Sequence, residues 1–227
     1  MNKKLQSIIV VIFVLIFLSS CSKYALRGKV TDRATGLALE EVAINLKVEG
    51  EKDYPAKTNS AGGYRAPKSK NKLGILTAEK EGYESYQREK IGVETVLDFW
   101  LRPTVEETVK RVITLEKAGV SDEKKWEELY WLYLHIYYQA EYPLQTFLDK
   151  ERAFETFYSI LTDAEPVIKS VTTLTNWRDE HQHKVYDEVK KVVVELTTSI
   201  DGKESKIEKE FFLGVSDQYW HIFWLTN

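Results

Sequence analysis

The sequence predicts an α+β chain of two domains. An antiparallel β-sandwich of about seven strands is expected over residues 24–103, and an all-α helical bundle of about five helices over residues 104–227. Three observations predict this. Short β-type runs recur between turn signals through the first hundred residues. Apolar residues then recur at helical spacing between caps and breakers. Charge also changes where the two regimes meet: residues 22–103 hold 15 Lys/Arg against 12 Asp/Glu, and residues 104–227 hold 15 against 23.

The strands come in order. Residues 26–31 lead into Asp32-Arg33-Ala34-Thr35-Gly36, a turn-forming cluster. Residues 42–48 alternate apolar with small or polar side chains at period two. Residues 54–58 run into Asn59-Ser60-Ala61-Gly62-Gly63 and then Tyr64-Arg65-Ala66. Residues 73–80 form another run, Glu81-Gly82-Tyr83 a turn, and residues 96–101 the last strand before Pro103.

The helices follow. Thr104-Val105-Glu106-Glu107 has the form of a capping box and starts a segment that ends near Gly119. A second helix is expected from Ser121 to about Tyr142, stopped by Pro143. A third carries Phe147, Phe154, Phe157, Tyr158 and Leu161. A fourth places Trp177, His181, Val185, Val189, Val192, Leu196 and Ile200 on one stripe, with Gly202 beyond its end. Residues 207–225 fit a helix or an aromatic strand, and helix is the expectation.

The start of the chain has its own logic. Met1-Asn2-Lys3-Lys4 is positive, and residues 8–18 are eleven consecutive apolar residues. That run is short of the roughly 20 residues that span a bilayer and has the form of a secretory leader. Leu18-Ser19-Ser20-Cys21 resembles the bacterial lipobox. The resemblance implies removal of residues 1–20, lipidation of Cys21, and a short tether at residues 21–23. Cys21 is the only cysteine, so no intrachain disulfide can form. Two or more acyl chains hold a protein stably on a membrane. Ser22 rather than Asp after the cysteine favours the outer membrane, if the cell has one. The exported chain would carry a net charge of −5, 30 basic against 35 acidic residues, which argues against nucleic acid as a partner.

The strings "GKVTDRATGLALEEVAI", "KTNSAGGYRA", "LTAEKEGYE" and "FWLRP" resemble, in order and spacing, the carboxypeptidase regulatory-like domain. Gly28, Val30, Thr31, Asp32, Gly36, Thr58, Gly62, Tyr64, Gly82 and Tyr83 carry the match, and Asn59 stands where the family usually has Asp. The resemblance covers about residues 24–103. It implies a transthyretin-like, immunoglobulin-like sandwich without peptidase activity. None of the four histidines has the His-x-x-Glu spacing that a zinc carboxypeptidase needs. No metal site, cofactor or catalytic set is therefore expected, and the chain is not expected to be an enzyme.

Residues 129–138, "LYWLYLHIYY", are the oddest stretch of the second half. A helix apolar all round is buried, so plain core is one reading. Aromatic residues also supply interface hot spots, and Trp131, Tyr133, Tyr137, Tyr138 and Tyr142 could line a groove for a protein partner or a glycan. His181 and His183, two apart, would not share a metal on a helix. Lys57, Arg65, Lys68, Lys70 and Lys72 make the central hairpin basic, as a solvated loop or as a contact for anionic lipid headgroups. The expected function is a lipid-anchored cell-envelope protein acting as a binding or assembly module. The sandwich would serve as spacer and docking unit and the helical domain as recognition unit. Binding of a glycan or small ligand in the aromatic groove is the alternative.

Overall fold

The computed structural model describes residues 24–67, 74–91, 96–161, 163–179, 183–200 and 202–223. The leader, Cys21, Lys68, Lys70, Lys72 and His181 lie outside the described residues. The chain divides into two compact units. One takes the residues up to Thr31 with Leu37–Lys80 and Ser85–Trp100; the other takes Asp32–Gly36, Glu81–Glu84 and Leu101–Asn227.

Seven strands build the first unit: β1 (Tyr24–Asp32), β2 (Ala43–Val48), β3 (Tyr54–Lys57), β4 (Gly63–Pro67), β5 (Gly74–Glu79), β6 (Tyr86–Ile91) and β7 (Phe99–Leu101). They form a three-stranded sheet, β4-β1-β7, and a four-stranded sheet, β3-β2-β5-β6. Alternation decides which side chains go inside. In β2, Ile44, Leu46 and Val48 are buried while Ala43 and Lys47 face water. In β1, Leu26 and Val30 are buried while Arg27 and Lys29 point outward. The two sheets meet through Phe99 of β7 and Tyr86 of β6, whose rings stack 4.3 Å apart. Gly28 is required by close approach: a Cβ there would lie 1.8 Å from the Leu97 carbonyl oxygen.

The second unit corrects the expected fold class. Residues 104–227 are not a helical bundle. The five helices are short and confined to the first part: α1 (Val105–Gly119), α2 (Lys124–Tyr133), α3 (Ile136–Glu141), α4 (Leu144–Ala153) and α5 (Glu155–Ile160). After them the described elements are all strands: β8 (Pro166–Asp179), β9 (Lys184–Ile200), β10 (Lys203–Ser216) and β11 (Tyr219–Phe223) form one antiparallel sheet in the order β11-β10-β9-β8. The α+β chain of a seven-strand sandwich plus all-α bundle is thus replaced by a mostly β protein, with eleven strands in three sheets among the described residues.

The physical reason lies in side-chain branching and turn chemistry. Residues 185–200 carry five valines, two threonines and two isoleucine or leucine residues, types that suit a pleated surface better than a helix. Val192, Val194 and Leu196 are buried at period two. Because almost every second or third residue there is apolar, a helical stripe can be drawn through the same run. Ile200 pairs with Lys203, so the Asp-Gly pair between them is a hairpin signal rather than the end of a helix. Gly202 takes φ 74° there. Helices and sheet share one core, with Val109, Val112, Ile113, Trp126, Leu129 and Phe147 packed in a cluster with Val192, Val194, Leu196, Phe211 and Leu213.

Candidate functional site

The aromatic stretch 129–138 is not one helix. α2 ends at Tyr133, and Leu134 and His135 are extended, with ψ near 134° and 136°. They form a parallel bridge to β11: Leu134 pairs with Ile222, and the His135 N–H donates to the Ile222 carbonyl at 2.9 Å. This break divides the five candidate residues, with Trp131 and Tyr133 before it and Tyr137, Tyr138 and Tyr142 after it. Tyr133 and Tyr138 are buried, at 2% and 1% exposure, Tyr142 is half-buried, and Tyr137 and Trp131 are exposed at 45% and 59%.

The structure brings Tyr137, Tyr138 and Tyr142 to one end of the sheet. The Tyr138 hydroxyl donates to Asp179 Oδ2 at 2.8 Å, and Asp179 is fully buried. Burial and that carboxylate raise the phenol's pKa above its ordinary value. Tyr142 stacks on Tyr138 with centroids 6.1 Å apart. Lys184 Nζ lies 3.3 Å from the centre of the Tyr137 ring, a cation–π contact. Tyr133 stands apart, within 3.5 Å of Arg111 Nη1, and Trp131 packs edge-on against Tyr130.

Four residues of this cluster were not singled out as site residues from the sequence: His135, Tyr186, His221 and Phe223. The His135 ring lies 4.6 Å from Phe223, 5.7 Å from Tyr186 and 6.2 Å from His221. Burial pulls both histidines down to about 4, so both are neutral at pH 7. Their tautomers differ. His135 Nδ1 accepts from the Tyr137 N–H at 3.4 Å, whereas His221 Nδ1 lies 3.1 Å from the Tyr219 carbonyl and must donate. Trp177 and Tyr186 face each other across the β8–β9 pair. That register would have revealed the cluster had the hairpin been recognised.

The exposed feature of this unit is the edge strand β8. It is 14 residues long and pairs only with β9 among the described strands. Both of its ends carry devices that discourage a further strand. A register shift sits between Ile168 and Ser170, next to Lys169. At the other end Asn176 has φ 51°, which twists the strand before Arg178. Between these lie residues 170–175, "SVTTLT", with no charge and no proline. Five of the six are exposed and Leu174 is half-buried. The charges nearby belong to β9 and β10, where they are paired: Lys190 with Glu188 at 2.7 Å, Lys191 with Glu210 at 2.8 Å and Lys206 with Glu195 at 3.0 Å. Lys190 also reaches over β8 to donate to the Thr173 hydroxyl at 2.8 Å. An uncharged run of strand-forming residues that no other described strand pairs on its outer side can accept an additional strand.

Two solved structures overlay parts of the chain. One is described as a "putative carbohydrate binding protein" from Bacteroides uniformis ATCC 8492; it is 13% identical, with a TM-score of 0.30, over 78% of this chain and 53% of that one. The other is a 9R-lipoxygenase from Cyanothece PCC8801, 13% identical, with a TM-score of 0.24, over 86% of this chain and 40% of that one. The chain spans about half the length of the first and less of the second. Overlays at these TM-scores carry no argument about function. No protein-family model and no curated protein matches the sequence.

Proposed function

We propose that this protein is a non-enzymatic binding and assembly module, held on a cell-envelope membrane by lipid on Cys21. In this reading the second unit recognises a partner polypeptide by taking one of its segments as an added strand along β8. The observation that supports it is the uncharged run 170–175 between two guarded strand ends. Main-chain hydrogen bonds would supply affinity, and the alternating Val171 and Thr173 side chains would contact the added strand's neighbours. Such recognition needs no catalytic group. The neutral histidines and the Tyr138–Asp179 bond then hold the end of the sheet in shape.

Affinity purification from intact cells after crosslinking tests the reading. Ser170→Lys with Thr175→Lys places charge on the free edge. Ser170 and Thr175 are both exposed, so stability should stay within about 0.5 kcal/mol of the native chain. A partner recovered with the native protein and with a control Thr114→Lys on α1, but at least tenfold depleted with the edge variant, is the expected result. Equal recovery with the edge variant overturns the reading. Recovery of another copy of this chain alone would make the edge a homodimer contact instead.

A further inference from the structure

We infer that the outward face of the β4-β1-β7 sheet in the first unit docks on the phosphate headgroups of an anionic lipid layer. Arg27 of β1 lies directly opposite Arg65 of β4. Lys29, two residues along β1, projects from the same face, because Leu26 and Val30 take the buried positions of that strand. Like charges directly opposite across a strand pair repel, so this arrangement weakens the sheet in isolation. Among the described residues, none of the three forms an ion pair. They line an open depression of about 760 Å³ with Lys57, Asn59 and Asp98. Its one unpaired acid, Asp98, accepts from the Lys29 backbone N–H at 2.7 Å and keeps its charge, one against three cations. Lys57 is paired with Glu41 at 2.7 Å. A net positive charge therefore remains for an external anion, and two of the three cations are arginines, whose planar forks match phosphate oxygens.

A second observation selects a lipid layer over a soluble phosphate. Phe99 and Leu101 of β7 are buried while Trp100 between them is 37% exposed, which puts its indole on the same outward face. Tryptophan beside basic residues is the side-chain set that settles at the headgroup level of a bilayer. Tyr24 begins β1 only three residues after Cys21, so the face belongs to the strand next to the proposed attachment. The inference deepens that proposed membrane attachment and rests on it for which membrane is met.

Lysine acetylation of the full chain, read by mass spectrometry, tests it on two surfaces. One is vesicles of phosphatidylcholine; the other is the same vesicles with phosphatidylglycerol added. On the anionic vesicles, acetylation of Lys29 is expected to slow about fivefold, the scale of one cation's gain near such a surface. Exposed Lys110 and Lys124 should be unchanged. High salt should remove the protection, and so should Arg27→Gln with Arg65→Gln. Equal labelling of Lys29 on both vesicles overturns the inference. Equal protection by inorganic phosphate without vesicles also overturns it, in favour of a soluble anion. Flotation of the same samples separates the two readings. A chain that floats on neutral vesicles with Lys29 unprotected on anionic ones keeps the lipid anchor and loses the docking face. A chain that floats only on anionic vesicles, and not after the Arg27 and Arg65 changes, keeps the face and loses the anchor.

Discussion

Asp32 shows how much one side chain can settle in the second unit. It is 3% exposed and accepts from Tyr83 Oη at 2.7 Å, Arg111 Nη1 at 2.6 Å, and the N–H groups of Ala34 and Thr35 at 2.8 and 3.0 Å. Burial opposes its ionisation, but the Tyr83 and Arg111 hydrogen bonds outweigh it and hold its pKa below the usual value. Asp32→Asn leaves the Arg111 charge without that partner, and chemical denaturation should show a loss of about 3 kcal/mol. The pH dependence divides by residue. His135 and His221 have folded pKa values of about 4, depressed from about 6.5 unfolded. The unfolded chain therefore binds protons first, and their contribution, complete above pH 6.5, falls as pH drops toward 4. A loss on the order of 2 kcal/mol per histidine is expected between pH 7 and 4.5, and His135→Phe should flatten that slope. Asp32 acts lower: its contribution persists above its unfolded value of about 3.9 and is lost as pH falls through its folded value. Gln218 gives a stabilising change. It sits at φ 69° after Asp217 at φ 48° in the β10–β11 turn, where Arg33 Nη2 donates to the Asp217 carbonyl at 3.0 Å. A left-handed residue costs about 1–2 kcal/mol, and glycine's extra unfolded freedom about 0.4–1 kcal/mol. Gln218→Gly should therefore raise stability by about 0.5 kcal/mol in thermal unfolding. Asp32 was visible in the sequence as a turn residue, whereas Asp217 and Gln218 fell inside the segment 207–225 expected as helix. Their partners come from distant segments, which no local pattern states.

At the scale of elements, local signals worked where the chemistry was local. Thr104 does cap α1, its hydroxyl accepting from the Glu107 N–H at 3.2 Å, and Pro143 separates α3 from α4. Periodicity failed where composition was degenerate. In β9, "KVVVEL" satisfies period two and period 3.6 alike, and valine branching with the Asp-Gly turn should have decided for strand. The break at Leu134 was illegible for a different reason. It depends on a bridge to Ile222, 88 residues away, so the aromatic candidates drawn on one continuous helix are divided between two helices. Gly119 shows a packing constraint of the same long-range kind. A Cβ on it would lie 1.9 Å from Trp126 Nε1. That indole is 2% exposed and donates to the Glu116 carbonyl at 2.9 Å. Gly119→Ala forces the ring out of its site, and thermal unfolding should show a loss of about 3 kcal/mol; an unchanged midpoint would mean that α1 and α2 pack differently.

For the molecule as a whole, the leader and Cys21 were the clearest reading of the sequence and lie outside the described residues. Attachment is testable directly: Cys21→Ala should move the protein out of the washed membrane fraction, and retention there would contradict lipid anchoring. Charge asymmetry between the halves was also legible, because it needs only counting. The sheet face that gathers Arg27, Lys29 and Arg65 was not, because two of those residues meet only through strand register. The edge of β8 was hidden for the same reason: its exposure follows from the sheet order, which ends at that strand. Site-specific photocrosslinking from position 173, in intact cells expressing the full chain, addresses that edge most directly. A single partner polypeptide captured from positions 171 and 173, but not from position 114 on α1 or from positions 171 and 173 in the Ser170→Lys, Thr175→Lys variant, is the expected outcome. Capture that is absent at β8, or indifferent to the edge lysines, would show that this strand is not where the protein binds.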